Sequence, residues 1–258
     1  MNNQQIPLCS VLTAPQGDPA RRDNVEQQMA SAQIEFEFVV GFTPESPEIE
    51  NAYGKWRNKI FAKRDLTRGE IAVYLGHRKI WQNIIDSGQN SGLVFEDDLS
   101  FIDPSNIREV LRGAAASLRS WDLIKLFDFR PHRGLSSFHE NGITLQVYKR
   151  PNSGMVGYML TAECCRKLLK RKYIFRAVDE ELRYWFEKQI RIVTITPNPV
   201  TEISHKLKGS ILESSRYDKR RKRNVVRSLY FNIITAYINI CCELWSRWIV
   251  FSYRKRQS

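Results

Sequence analysis

Apolar and polar positions along the chain follow two different periods, and the switches between them mark the elements. Ile6 to Leu12 is a short apolar run that predicts a first strand. Pro, Gly and Asp between Thr13 and Pro19 predict a turn, with Pro19 suited to the first turn of a helix. Val25, Met29 and Ala32 then recur at helical spacing through Gln33, and Phe36, Phe38 and Val40 predict a second strand ending near Gly41. This is a β-α-β unit of the kind that builds parallel sheets. Residues 43–68 are polar at first, then basic at Lys55, Arg57, Lys59, Lys63 and Arg64, and read as a loop region with short helices. Ile71, Tyr74, Leu75, Trp81, Ile84 and Ile85 set one face of a helix over Gly69–Asp86, ended by Ser87 and Gly88. Leu93 to Phe95 predicts a buried strand. Further strands are expected at Leu123–Phe127, Thr144–Tyr148, Met155–Leu160 and Ile190–Ile195, and helices at Asn106–Leu118, Thr161–Arg171 and Asp179–Lys188. Strands alternating with helices predict an α/β fold with a mixed sheet.

Apolar residues are 42% and charged residues 26% of the 258 positions, which excludes a disordered or fibrous chain. The formal net charge of +12 would suit nucleic acid, an anionic membrane or an acidic substrate. Its placement separates these. Residues 216–258 hold eleven Lys and Arg against two acids, a net of +9, and residues 1–215 carry only +3. The expected division is therefore a nearly neutral domain over 1–215 and a basic tail over 216–258, and no specific nucleic-acid binding is expected. Five cysteines, four of them in the adjacent pairs Cys164–Cys165 and Cys241–Cys242, match no metal-finger spacing and read as reduced thiols. The start MNNQQIPLCSVL lacks a basic segment ahead of an apolar core, so no secretory leader is expected. Ser228–Cys242 is too short to span a bilayer and is interrupted by Asn232, Thr235 and Asn239.

Neither a P-loop nor a dinucleotide fingerprint is present. The sharpest chemical feature is Glu96-Asp97-Asp98 directly after the buried strand. Three adjacent carboxylates repel one another unless positive charge sits among them. In an open α/β sheet, ligands bind beyond the carboxyl ends of the strands. A divalent cation on these acids would bridge to a diphosphate; the plainer reading is a solvated acidic turn.

The segment LVFEDDLSF resembles the acidic motif of glycosyltransferase family 25. Upstream, GEIAVYLGHRKIWQNIIDSG is similar to that family's G-E-x-G-C-x-x-S-H-x-x-x-W segment, keeping Gly69, Glu70, His77 and Trp81. Arg21-Arg22 with VEQQM, FEFVVGF, WDLIKL, SGMVGYMLTAECCRKLL and VDEELRYWFEKQIRIVTITPNPV are similar to its other segments in order, so the resemblance covers roughly residues 6–212. Val73 and Gly76 stand where the family has Cys and Ser, and Val40 near its Ala, departures that bear on donor choice.

The resemblance implies a GT-A-like nucleotide-sugar fold with a mixed, mainly parallel sheet. It implies transfer with inversion from a UDP-sugar, commonly UDP-galactose, to a growing lipooligosaccharide. Asp98 would be the principal ligand of Mn²⁺ or Mg²⁺, with Glu96 close by and Asp97 on the donor ribose or the metal. Inversion needs a base on the acceptor hydroxyl. Asp179, opening a helix in VDEEL, is the first candidate and Glu180 the second, although Asp179 would equally serve as an N-cap. His77 would contact the donor or be a buried hydrogen-bonding residue. His205 is a candidate late ligand of metal or diphosphate. Arg21 and Arg22 would face the diphosphate, or simply start a solvated helix. Trp81, Trp121 and Trp185 read as core rather than sugar platforms.

In the tail, Ser228, Asn232, Thr235, Asn239, Glu243 and Ser246 form one narrow polar stripe, with Leu229, Phe231, Ile233, Tyr237, Ile240, Leu244, Trp248 and Phe251 around the remainder. DKRRKR (218–223) and YRKR (253–256) flank it. An amphipathic helix of this kind suits the anionic cytoplasmic face of a bacterial inner membrane, or packing on the domain. The resemblance implies a metal-assisted sugar transferase, and the tail adds the expectation that it is peripheral to a membrane. The alternative is a family member without catalysis that binds sugar or serves membrane assembly.

Overall fold

The computed structural model describes residues 5–129, 134–204 and 225–257. Strand β1 (Cys9–Thr13) is buried along its whole length and leads through a turn into helix α1 (Pro19–Ala32). The Asp18 carboxylate accepts the Ala20 N–H at 3.0 Å, and Pro19 occupies the first helical position, so the turn chemistry fixes where the helix begins. Strand β2 (Phe36–Val40) pairs parallel with β1, completing the expected β-α-β unit. The basic stretch holds two short helices, α2 (Glu48–Ala52) and α3 (Lys55–Phe61).

Helix α4 (Arg68–Asp86) is closed at its start by a reciprocal capping box between Thr67 and Glu70. Its apolar face, with Ile71, Tyr74, Ile80, Trp81 and Ile84, lies against the sheet. Gly76 lets the helix approach β1: a β-carbon there would stand 2.6 Å from Leu12 Cδ1. Strand β3 (Ser91–Glu96) follows, then β4 (Leu99–Phe101), α5 (Ile107–Ser117) and β5 (Leu123–Lys125). The remaining elements are β6 (Ser136–Glu140), β7 (Ile143–Val147), β8 (Gly157–Thr161), α6 (Ala162–Leu169), α7 (Val178–Leu182), a 3-10 turn (Trp185–Lys188), β9 (Ile192–Ile195), β10 (Val200–Glu202) and α8 (Val225–Gln257).

Eight strands form one sheet in the order β2-β1-β3-β8-β5-β9-β7-β6. The pairings make β7 and β8 run against the other six, so the sheet is mixed and mainly parallel in strand direction. The α/β class and the C-terminal helix are as the sequence implied. β10 pairs antiparallel with β4 as a separate ribbon, setting Glu202 opposite Leu99. Trp81, Trp121 and Trp185 are all buried core residues. All five cysteines are free.

Three strands escaped the sequence reading: β4, β6 and β10. β6 reads SSFHE, too polar to signal a strand, and β4 and β10 have three residues each. The helix expected over Asp179–Lys188 is interrupted. Only α7 and the 3-10 turn form, because Arg183 caps the first and the backbone leaves helical geometry at Tyr184. Helix α8 has apolar residues on two sides, and Ser246, one of the narrow polar stripe, is buried.

Candidate active site

The carboxylates emerge where the fully buried run Leu93–Phe95 reaches the carboxyl end of β3. The Glu96 N–H donates to Val156 O at 2.9 Å, and the chain then turns through Asp97 and Asp98 into β4. The Ile203 N–H donates to Asp98 O at 2.9 Å, so the residue after β10 clamps the turn from the other side. Because β1 lies next to β3, helix α1 departs beside the turn and delivers Arg21 to it. Arg21 Nη1 lies 2.5 Å from Asp97 Oδ1 and 3.6 Å from Asp98 Oδ2. Arg22 points elsewhere, its guanidinium over the Phe38 ring at 5.3 Å. Of the two expected diphosphate contacts, only Arg21 reaches the acids.

One cation does not balance this turn. Asp98 Oδ1 is buried without a hydrogen-bond partner. Its carboxyl is pushed up to about 8, first by burial and then by Glu96, with Arg21 opposing and Glu202 and Asp97 adding to the shift. A buried carboxylate oxygen with no donor is costly unless something positive meets it. Among the described residues, no group of three His, Cys, Asp or Glu side chains converges to hold a metal. Asp98 with Glu96 nevertheless fits a hard divalent cation of the Mg²⁺ type, which commonly takes one or two carboxylates and completes its shell with water and phosphate oxygens. His205 lies outside the described residues.

His77 stands behind Glu96. Its ring is fully buried, with Nδ1 2.8 Å from the Tyr158 hydroxyl and Nε2 3.2 Å from Glu96 Oε1. Trp81 Nε1, a donor only, donates to the same Tyr158 oxygen at 3.0 Å. Burial keeps the Tyr158 hydroxyl protonated, its pKa raised well above the ordinary value. The consistent assignment is Tyr158 donating to His77 Nδ1 and His77 Nε2–H donating to Glu96. Both ring nitrogens of His77 are thus taken up, one by Tyr158 and the other by the first carboxylate of the turn.

A second group gathers around the start of α4. Arg64 makes a bidentate pair with Glu70, at 2.7 and 2.5 Å, and feels the charges of Glu180 and Asp179. Glu70 and His77 share one face of α4 two turns apart, so the groups they anchor are separated by about 10 Å of helix axis. Asp179 is not the N-cap of α7; Ala177 is, and the Asp179 carboxylate accepts the Glu180 N–H at 2.8 Å. A five-residue helix offers little dipole, so the positive neighbours of Asp179 are side chains, Arg64 and Lys125. The exposed Glu180 is still crowded enough that desolvation, then Asp179, raises its carboxyl above the ordinary value, while Arg64 and Arg183 oppose.

The sequence reading missed Lys125. Buried at the end of β5, its amine pairs with Asp128 Oδ1 and donates to Asn152 O at 2.8 Å. Lys125 is in register with Tyr158, and Tyr158 with Val94, so all three side chains share the face of the sheet that α4 covers. A single Lys inside the apolar run LIKLF was the available signal. Tyr158 and Glu202 gave none, since each enters through strand pairing. A cavity of about 890 Å³ lined by Gln33, Ser91, Arg108 and Arg112 opens at the opposite, amino-terminal ends of β1 and β3 and takes no part in this geometry.

A family model described as "Glycosyltransferase family 25 (LPS biosynthesis protein)" matches residues 16–182, which include the acidic turn, His77 and the Asp179–Glu180 pair. Procollagen galactosyltransferase 1 of Danio rerio is 28% identical over 134 residues, 48% of this chain and 21% of that protein. "Inactive glycosyltransferase 25 family member 3" of Homo sapiens is 31% identical over 136 residues, 50% of this chain and 22% of that protein. The matches thus cover less than a quarter of those relatives' length. A solved glycosyltransferase involved in glycosylation of the major capsid of PBCV-1 is a distant likeness, 11% identical with a TM-score of 0.37 over 73% of this chain and 81% of that one. With about two thirds of its length matched by the family model, the chain belongs to glycosyltransferase family 25.

Proposed function

We propose that this glycosyltransferase moves a sugar, galactose first among candidates, from a UDP-activated donor to a growing lipooligosaccharide with inversion, in a GT-A-like donor site. The observation that carries the reading is the unbalanced acidic turn at the carboxyl end of β3, with Asp98 Oδ1 buried and unpartnered. Asp98 and Glu96 would hold Mn²⁺ or Mg²⁺, which supplies charge neutralisation for the departing diphosphate. Arg21 orients Asp97, leaving its second carboxylate oxygen for the donor ribose. His77, fixed by Tyr158, keeps Glu96 turned toward the site. On the acceptor side, Asp179 is the first candidate to take the hydroxyl proton and Glu180 the second; both lie in the group anchored by Glu70, about 10 Å along α4 from His77. A lipid-linked acceptor would put the reaction at the cytoplasmic face of the inner membrane.

A second reading is a family member without catalysis. It draws on the Arg21–Asp97 pair, which already neutralises part of the acidic turn, and on an inactive relative among the similar proteins. One experiment separates them: a panel of UDP-sugars is scored for hydrolysis and transfer, with and without chelator. Release of UDP from one donor, abolished by chelator and restored by Mn²⁺ or Mg²⁺, supports the transferase. No turnover with any donor supports the binding protein.

A further inference from the structure

Helix α8 has two apolar faces, and the domain covers one. Ile238, Cys242, Ser246, Ile249 and Tyr253 recur every three or four residues and are buried. Trp245 Nε1 donates to Ile190 O at 3.0 Å, and Tyr253 stacks on Trp121 with ring centroids 5.0 Å apart. On the opposite side Ile233, Tyr237, Ile240, Leu244, Trp248 and Phe251 recur with the same spacing, and each exposes 51–72% of its surface. A single exposed apolar residue is ordinary; a stripe continuous over about 27 Å of helix marks an interaction surface.

Charge selects the occupant. Within α8, Glu243 is the one acid against Arg227, Arg247, Arg254, Lys255 and Arg256, and the segment DKRRKR precedes the helix. Arg254, Lys255 and Arg256 are exposed at its end. A second copy of the same face would bring basic ends together in either a parallel or an antiparallel pairing. An anionic surface meets both ends favourably. No helix among the described residues is long and apolar enough to cross a membrane.

We propose that the stripe from Ile233 to Phe251 docks in the plane of an anionic lipid bilayer, its apolar side chains at the boundary between headgroups and acyl chains and its basic end on lipid phosphates. The helix is then a structural part of the domain and its membrane face at once. This holds whichever sugar the protein moves, and whether or not it is active.

The test is co-sedimentation of the full chain with mixed phosphatidylglycerol–phosphatidylcholine vesicles and with pure phosphatidylcholine vesicles. Combined Ile240→Ser, Leu244→Ser and Phe251→Ser should lower partitioning on the order of a hundredfold, with circular dichroism and melting temperature nearly unchanged because these side chains are exposed. Arg254→Gln, Lys255→Gln and Arg256→Gln should lower binding to the anionic vesicles alone, by at most about fivefold per charge and less at high salt. Unchanged partitioning of the triple serine variant overturns the proposal. So does a dimer that the same variant dissociates in sedimentation velocity while vesicles go unbound, which would make a second copy the occupant.

Discussion

His77 Nε2 lies 3.2 Å from Glu96 Oε1, while Nδ1 of the same ring lies 2.8 Å from the Tyr158 hydroxyl. One buried imidazole thereby joins α4, the middle strand β8 and the first acid of the turn. Tyr158→Phe should test this link without opening a large cavity. It removes the acceptor for Trp81 and the donor to His77, leaving two buried polar groups unpaired, at a cost of about 1–3 kcal/mol. Urea denaturation measures that loss. In the transfer assay kcat should fall while the donor KM changes little, since Glu96 loses its orientation and the donor contacts remain. Equal kcat with reduced stability would make His77 a packing residue only.

Asp98 sits where a charge costs stability and would serve function. A carboxyl that is ionised in the unfolded chain but pushed up to about 8 in the fold, by burial and then by Glu96, opposes folding at neutral pH. Asp98→Asn should therefore raise the thermal midpoint without donor or cation. Transfer should fall by at least about a hundredfold, because the leaving diphosphate loses its electrostatic support. Full activity of the variant, or of the wild type in excess chelator, removes Asp98 from the metal role.

Asp179 and Glu180 are separable by what each variant does to the donor. Asp179→Asn should depress turnover while UDP affinity, read by calorimetry, stays nearly unchanged, because a base acts on the acceptor. Glu180→Gln is the matched control. If Asp179→Asn abolishes UDP binding, Asp179 belongs to the donor side and Glu180 becomes the base.

Local signals carried much of this architecture. The β-α-β start, α4 and the strand before Glu96 follow from periodicity and caps, and their observed bounds lie within a few residues of the expected ones. The acidic turn was visible because three successive carboxylates after an apolar run are unusual chemistry. Its surroundings were not. Arg21 meets Asp97 across 76 positions and His77 meets Tyr158 across 81, and only the strand order β1-β3-β8 makes these neighbours. The tail reading separated membrane from packing as alternatives. The helix has a face packed against the domain and a second apolar face open to solvent, which residue types alone do not reveal.

Away from the site, Asp122 gives a pH signature. Burial alone would raise its carboxyl, but hydrogen bonds from the Arg191 side chain and backbone, at 2.8 to 3.1 Å, hold it below the ordinary value. A depressed folded-state pKa contributes stability above the unfolded value and loses it as pH falls through the folded one. Asp122→Asn should therefore destabilise by about 1–3 kcal/mol at neutral pH. The difference from wild type should shrink progressively below pH 3.8, the ordinary carboxyl value. Denaturant midpoints measured across that acid range check the sign.

The last prediction concerns what α8 covers. Trp121 is fully buried, and Tyr253 stacks on it at an interplanar angle of 20° while its hydroxyl donates to Glu140 on β6. Phe138, also on β6, lies 4.4 Å from the Tyr253 ring by centroids. Cys242 adds a contact with Arg183 O at 3.3 Å, next to the end of α7. Cutting the chain before Val225 would expose these partners, so the shortened protein should lose stability as well as any membrane contact. Tyr253→Ala isolates the packing part, with a cost of about 3–5 kcal/mol expected for deleting a buried aromatic side chain. Vesicle binding of the folded variant should be retained, because Tyr253 lies on the covered face. Stability equal to wild type for both the truncation and Tyr253→Ala would mean that α8 leaves the domain in solution.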